Sequence, residues 1–156
     1  MSFKTIEELD LSENYSIADT EESEVASVKN LFKKLEKDAD PADTSIVDSS
    51  YADSFLFCDP DNANAVKKED FLRYLPSMAE MYKKTGFQKK RIKSLEAVKL
   101  DENYMLIRLV WKMEFGKDEN VKTIDNIKAT YILKKETDGN FQIVVQLDHQ
   151  KLTDII

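Results

Sequence analysis

The sequence predicts an α+β domain in which three N-terminal helices pack on a strongly curved antiparallel sheet. Three observations predict it. Val25, Val28, Leu31, Phe32 and Leu35 recur at i, i+3, i+4 spacing, the mark of an amphipathic helix. From residue 87 onward the period falls to two, as in strands with one buried face. Asp138-Gly139-Asn140 is turn chemistry between two such strands. Long strands covered by so few helices must curl to close a core.

Each element has its own warrant. Residues 1–22 are acidic (Glu7, Glu8, Asp10, Glu13, Asp19, Glu21, Glu22) and read as an arm preceding one domain at 23–156. Within the arm, Phe3, Ile6, Leu9 and Leu11 allow one helical turn. The first helix starts among Glu21, Glu22 and Glu24 and ends among Lys33, Lys34 and Lys37, which suits the helix dipole. Asp40-Pro41 stops it and opens a short second helix to about Tyr51, burying Ile46 and Val47. Phe55-Leu56-Phe57-Cys58 reads as a strand closed by the turn-rich run Asp59 to Asn64. The third helix is expected over Val66 to Lys84, with a stripe of Phe71, Leu75, Met78, Ala79 and Tyr82. Pro76 predicts a kink or break near Leu72–Leu75, and Gly86 a C-cap.

The strands follow at 87–100, 104–115, 123–135 and 141–149. Their inward faces are Met105, Ile107, Leu109, Trp111, Met113 and Phe115, then Ile127, Ala129, Tyr131 and Leu133. On the last strand, strict alternation puts Phe141, Ile143, Val145, Leu147 and His149 inward.

Composition narrows the function classes. The chain is 42% hydrophobic and 34% charged, enough apolar content for a core, and its net charge of −7 disfavours nucleic acid and anionic membrane as partners. Cys58 is the single cysteine, so no internal disulfide forms, and with one histidine a structural zinc site has too few ligands. No apolar run approaches the roughly 20 residues of a membrane span. The N-terminal residues lack a basic start and an apolar stretch, so a cytoplasmic location is expected.

The element order resembles the nuclear transport factor 2-like superfamily, a cone-shaped, cystatin-like α+β fold. That superfamily includes ketosteroid isomerase, scytalone dehydratase and SnoaL-type polyketide cyclases. The carriers are LEKDADPAD, FLFCDP, KKEDF and the closing pair ATYILKKETDGNFQIVVQLDH, and the resemblance spans roughly Ser23 to His149. It implies the scaffold and, in ketosteroid-isomerase-like enzymes, a general-base carboxylate before a proline, the place that Asp59 and Pro60 occupy. Those enzymes also need a tyrosine where Phe32 stands and an inward acid where Ile127 and Ala129 stand. The resemblance therefore argues against that isomerase activity. Scytalone-dehydratase-like sites need more than one inward histidine, and only His149 is present.

The candidate residues carry two readings each. Asp59 is either a general base at a pocket mouth or an Asp-Pro turn residue bonded to its own backbone. His149 is either a proton shuttle or a locally bonded strand-end histidine. Tyr51, Phe55, Met105, Trp111, Met113, Ile127, Tyr131 and Leu147 form either a ligand wall or plain core. Asp59 to Asn64 fails as a calcium loop at Ala63 and Asn64, so no metal and no cofactor is expected. The basic residues Lys83, Lys84, Lys89, Lys90, Arg91 and Lys93 read as a solvated cluster around Gly86. On the outward sheet face, Leu106, Val110, Ile132 and Val144 form a mixed surface suited to a homodimer.

The expected function is a domain that binds a small apolar ligand or dimerises. The alternative is an enzyme of the lyase, isomerase or cyclase kind, with Asp59 as base and His149 or Tyr131 as acid.

Overall fold

The computed structural model describes residues 4–5, 22–37, 44–117 and 119–151. In chain order the elements are β1 (Lys4–Thr5), α1 (Glu22–Lys37), α2 (Ser45–Ser50), β2 (Tyr51–Cys58) and β3 (Ala63–Lys67). Then come α3 (Lys68–Lys84), β4 (Phe87–Lys99), β5 (Tyr104–Lys117), β6 (Asn120–Lys135) and β7 (Phe141–Asp148). Apart from Lys4 and Thr5, which pair with Ala97 and Glu96 at the edge of β4, the acidic arm lies outside the described residues.

One sheet of order β1-β4-β5-β6-β7-β2-β3 forms the body. It is mixed rather than antiparallel, because β2 runs parallel to β7. The two helices between the arm and β2 make that possible. They return the chain so that β2 enters beside the last strand with the same direction.

The α+β class holds, with three corrections along the first half. The strand after α2 begins at Tyr51, since Tyr51 already pairs with Ile143. The run after Asp59 makes a hairpin, Asp59 N–H to Asn62 C=O at 2.9 Å, and Val66 belongs to β3 opposite Phe55. The third helix therefore begins at Lys68. It also runs unbroken through Pro76. Pro76 is exposed, so the carbonyl that its missing N–H leaves unbonded has water available. Gly86 caps α3 as expected, with φ 79° and its N–H on the Lys83 carbonyl at 3.1 Å.

The core lies in the concave face. Val28, Leu31, Phe32 and Leu35 of α1 are buried against Leu95, Ala97, Met105, Ile107, Leu109, Leu133 and Ile143. Phe32 meets Tyr131 edge-on at 5.2 Å between ring centroids. Glu24 is buried at the start of α1 and pairs with Lys99 at 3.2 Å and Lys135 at 3.9 Å, tying the helix to β4 and β6.

The strands curl through bulges, each of which adds twist and re-aims the residues beyond it. Register slips between Ile92 and Ser94 in β4, and between Trp111 and Met113 of β5 where β6 carries Asn126 at φ 64°. A further slip falls in β7: Leu133 faces Ile143, but Ile132 faces Val145.

Candidate functional site: a cavity with one polar end

The β7 bulge decides the chemistry of the cavity. With Val144 as the extra residue, the faces of β7 exchange. Phe141 and Ile143 point inward as the alternation predicts. Beyond the bulge, Gln146 pairs with inward Tyr131 and Asp148 with inward Ala129. Leu147 and His149 therefore sit on the outer face, which corrects their expected inward placement. His149 is exposed, and its Nε2 lies 2.7 Å from Thr130 Oγ1.

The inward turn brings Gln146 and Asp148 into a chamber of mixed polar and apolar lining. The chamber, of about 140 Å³, is lined by Leu35, Tyr51, Tyr82, Lys90, Trp111, Met113, Ile127, Ala129, Tyr131, Gln146, Asp148 and Gln150. It adjoins a cleft of about 1100 Å³ beneath α3, and Tyr51, Tyr82, Lys90, Met113, Gln146 and Asp148 line both. Asp59 lies at the cleft, beside Asn64 and Lys151.

The hydrogen bonds at the polar end run in one direction. Tyr51 Oη donates to Gln146 Oε1. Gln146 Nε2 donates to Asp148 Oδ1 at 3.1 Å. Trp111 Nε1 donates to Tyr131 Oη at 3.4 Å, leaving the Tyr131 proton to point elsewhere. Burial pushes the Asp148 carboxyl above the ordinary carboxylate range, against the Gln146 hydrogen bond, which lowers it. Burial, and then the Asp148 charge, push the Tyr82 phenol up to about 12. Burial pushes Tyr131 up as well. These phenols keep their protons at neutral pH. The Lys90 ammonium lies 5.0 Å from the Trp111 ring, so it belongs to the chamber rather than to a solvated cluster. Its neighbours disperse: Lys89 pairs with Glu114 at 3.6 Å, and Lys93 Nζ with Asn126 Oδ1 at 3.1 Å.

Of the residues expected to line a pocket, Tyr51, Trp111, Met113, Ile127 and Tyr131 do so. Phe55 and Met105 are core, Phe55 packed between Tyr51 and Phe71 and Met105 fully buried. Asp59 has the geometry of a turn residue. Its Oδ1 accepts from the N–H of Asp61 at 2.8 Å and of Asn62 at 2.9 Å. The Asp61 N–H foremost holds its carboxyl below the usual range. Sequence reasoning missed Tyr82, Lys90, Gln146 and Asp148 as site residues. The doublet Val144-Val145, which breaks strict alternation, is the one trace of the bulge that a sequence reader has.

Among the described residues, no group of three or more His, Cys, Asp or Glu is arranged to hold a metal ion. No described helix is long and apolar enough to cross a membrane.

A curled sheet wrapped around a helix-covered cavity defines a cone-shaped domain of the nuclear transport factor 2-like superfamily. Within it, the chain belongs to the family described as NTF2-like protein (DUF6841), which matches residues 23–151. No curated protein matches it. Among solved structures it is similar to a ketosteroid isomerase-like protein from Erwinia carotovora atroseptica. The two share 19% identity and a TM-score of 0.60, over 81% of this chain and 95% of that one. A domain of unknown function with a cystatin-like fold from Nostoc punctiforme matches at 12% identity and TM-score 0.65, over 85% and 80% of the two chains. A protein from Catenulispora acidiphila in complex with S-DNPA matches at 12% and 0.65, over 83% and 95%. At these identities the likeness shows the fold.

Proposed function

We propose that the protein is a small-molecule-binding domain that receives its ligand in the cone and presents hydrogen-bond donors to a ligand oxygen. The observation that carries this reading is the inward turn of Asp148 into a chamber that Tyr131 and Tyr82 also line. Two phenols that hold their protons at neutral pH, beside a buried carboxyl, favour a carbonyl, phenolic or enolic oxygen. A chamber of about 140 Å³ suits a group the size of a benzene ring. The Catenulispora protein of the same fold is in complex with S-DNPA, which supports ligand binding as a use of the scaffold.

The test is a titration with phenol and cyclohexanone, read by the fluorescence of Trp111, the single tryptophan. Binding that weakens at least tenfold in Asp148→Leu supports the reading. Equal binding by both proteins, or none by either, refutes it.

A second reading gives the same cavity a reaction of the lyase, isomerase or cyclase kind, with Asp59 as base and Tyr131 as acid. Its support is that the spaces lined by Asp59 and by Tyr131 adjoin, sharing Tyr82, Lys90, Gln146 and Asp148. The two N–H groups on Asp59 Oδ1 and its lowered pKa weigh against it, and the outward His149 drops out of the pair. Loss of ligand α-hydrogen exchange in Asp59→Asn, with affinity unchanged, is the result that favours this enzyme.

The outward face of β5 and β6, with half-buried Leu106, Val110 and Ile132, is proposed as a homodimer surface. Val144 leaves that set in role, being the bulge residue. A monomeric mass in sedimentation equilibrium at high protein concentration rules the dimer out.

A further inference from the structure

We propose that the ligand is an elongated, mainly apolar molecule with one oxygen acceptor at its inner end, and that its body completes the packing beneath the middle of α3. This rests on the ligand-binding reading above and extends it from the chamber to the cleft.

Helix α3 is anchored at both ends. Its N-terminal end is clamped: Lys68 Nζ donates to the Asp48 carbonyl at 2.8 Å and pairs with Asp53 at 3.3 Å, and Phe71 packs on Phe55. Its C-terminal end is fixed by the Tyr82–Phe87 ring contact and by the Gly116 N–H bonded to the Gly86 carbonyl at 2.8 Å. Between these anchors, Leu75, Met78 and Ala79 face the cleft, and no residue of the helix is buried. An amphipathic helix fixed at both ends, with its apolar stripe turned toward a cleft, is left only partly covered by the protein itself.

The form of the space selects its occupant. The stripe is turned under the helix, while the exposed surface of α3 mixes Glu69, Arg73 and Lys84 with Tyr74 and Met81, so a second macromolecule docking from outside meets charge among its apolar contacts. A small molecule entering the cleft reaches the stripe. The cleft's volume of about 1100 Å³ far exceeds the chamber's of about 140 Å³, so a ligand that fills both is much larger than one ring. Tyr131, Gln146 and Asp148 line the chamber, whereas the surface of the cleft is mainly apolar, and Met78 and Met113 make it adaptable. The ligand's polarity should match: one acceptor inside, then an apolar body.

The experiment titrates the full chain with methyl ketones from pentanone to undecanone, with Trp111 fluorescence reporting the chamber and amide hydrogen exchange reporting α3. The expected result is an affinity that rises about fourfold per added methylene, from ~0.8 kcal/mol each, together with slower exchange across residues 72–82 for the longer ketones. Binding of every ketone with no gain with length and no change in α3 exchange overturns this inference and leaves the chamber reading standing. No fluorescence response to any ketone overturns both.

Discussion

The helices α1 and α3 carry nearly the same sequence pattern and meet opposite fates. Each is an amphipathic helix of similar length with an aromatic in its apolar stripe. In α1, Val28 and Phe32 are fully buried, and Leu31 and Leu35 nearly so. In α3, Phe71, Leu75, Met78, Ala79 and Tyr82 are each only partly buried. The difference is position. α1 crosses the concave face where Leu95, Leu109 and Ile143 are waiting, whereas α3 spans the mouth of the cone above a cleft. Periodicity reports that a face is turned toward the protein. It does not report that the protein fills the space in front of it.

The largest effect that sharpens this contrast comes from truncating one residue of each stripe. Phe32→Ala should cost about 3–5 kcal/mol, because it opens a cavity in packed core. Met78→Ala should cost below ~1 kcal/mol, because its surroundings are already open. Urea denaturation with a shared slope measures both, and comparable losses would break the comparison. Next in size is Glu24→Ala, which leaves Lys99 and Lys135 without their shared buried partner. A loss of about 3 kcal/mol is expected, since this carboxylate ties α1 to the sheet. Loss of well under ~1 kcal/mol would mean that apolar packing alone places α1.

Pro76 probes α3 from its backbone. Pro76→Ala restores an N–H and removes a clash, and should strengthen the helix by about 1–3 kcal/mol. If α3 opens separately from the core, the gain appears as slower exchange of α3 amides with little change in global stability. If the whole gain appears in the urea midpoint instead, α3 folds as one unit with α1 and the comparison needs revision.

The same physics sets how much of the molecule was legible. The long strands β4 to β7 were readable within a few residues because alternation persists over many pairs in a half-buried sheet. The parallel pairing of β2 with β7 was not, since the pairing partner of a short strand is set by the path of the chain and leaves no mark on the strand itself. On β7 the reading of the site failed at a single residue. After Ile143, strict alternation puts Val145 and Leu147 inside and sends Gln146 and Asp148 to water, which is the face assignment that hydrophobicity prefers. The bulge reverses it and turns a carboxyl into the cavity. A local rule broken without a packing gain is where a functional residue is expected, and this is the ground on which Asp148 is proposed.

The smallest predicted effect tests that cost. The Asp148 carboxyl is held above its ordinary value of 3.8, chiefly by burial, so the folded state binds its proton more tightly than the unfolded chain. Its stabilising effect is therefore present below 3.8 and is lost as pH rises through the folded value. Asp148→Asn carries no such charge. Near neutral pH the variant should melt above the wild type, by ~1.4 kcal/mol for each tenfold gain in proton affinity on folding and less where solvent screens the group. The advantage should shrink toward zero in acid, where Asp148 is protonated in both states. A melting difference that stays constant with pH would mean that Asp148 is as well solvated in the fold as in the unfolded chain. The polar end of the cavity would then be open to water, and the mouth spanned by α3 would be an entrance to solvent rather than to a ligand.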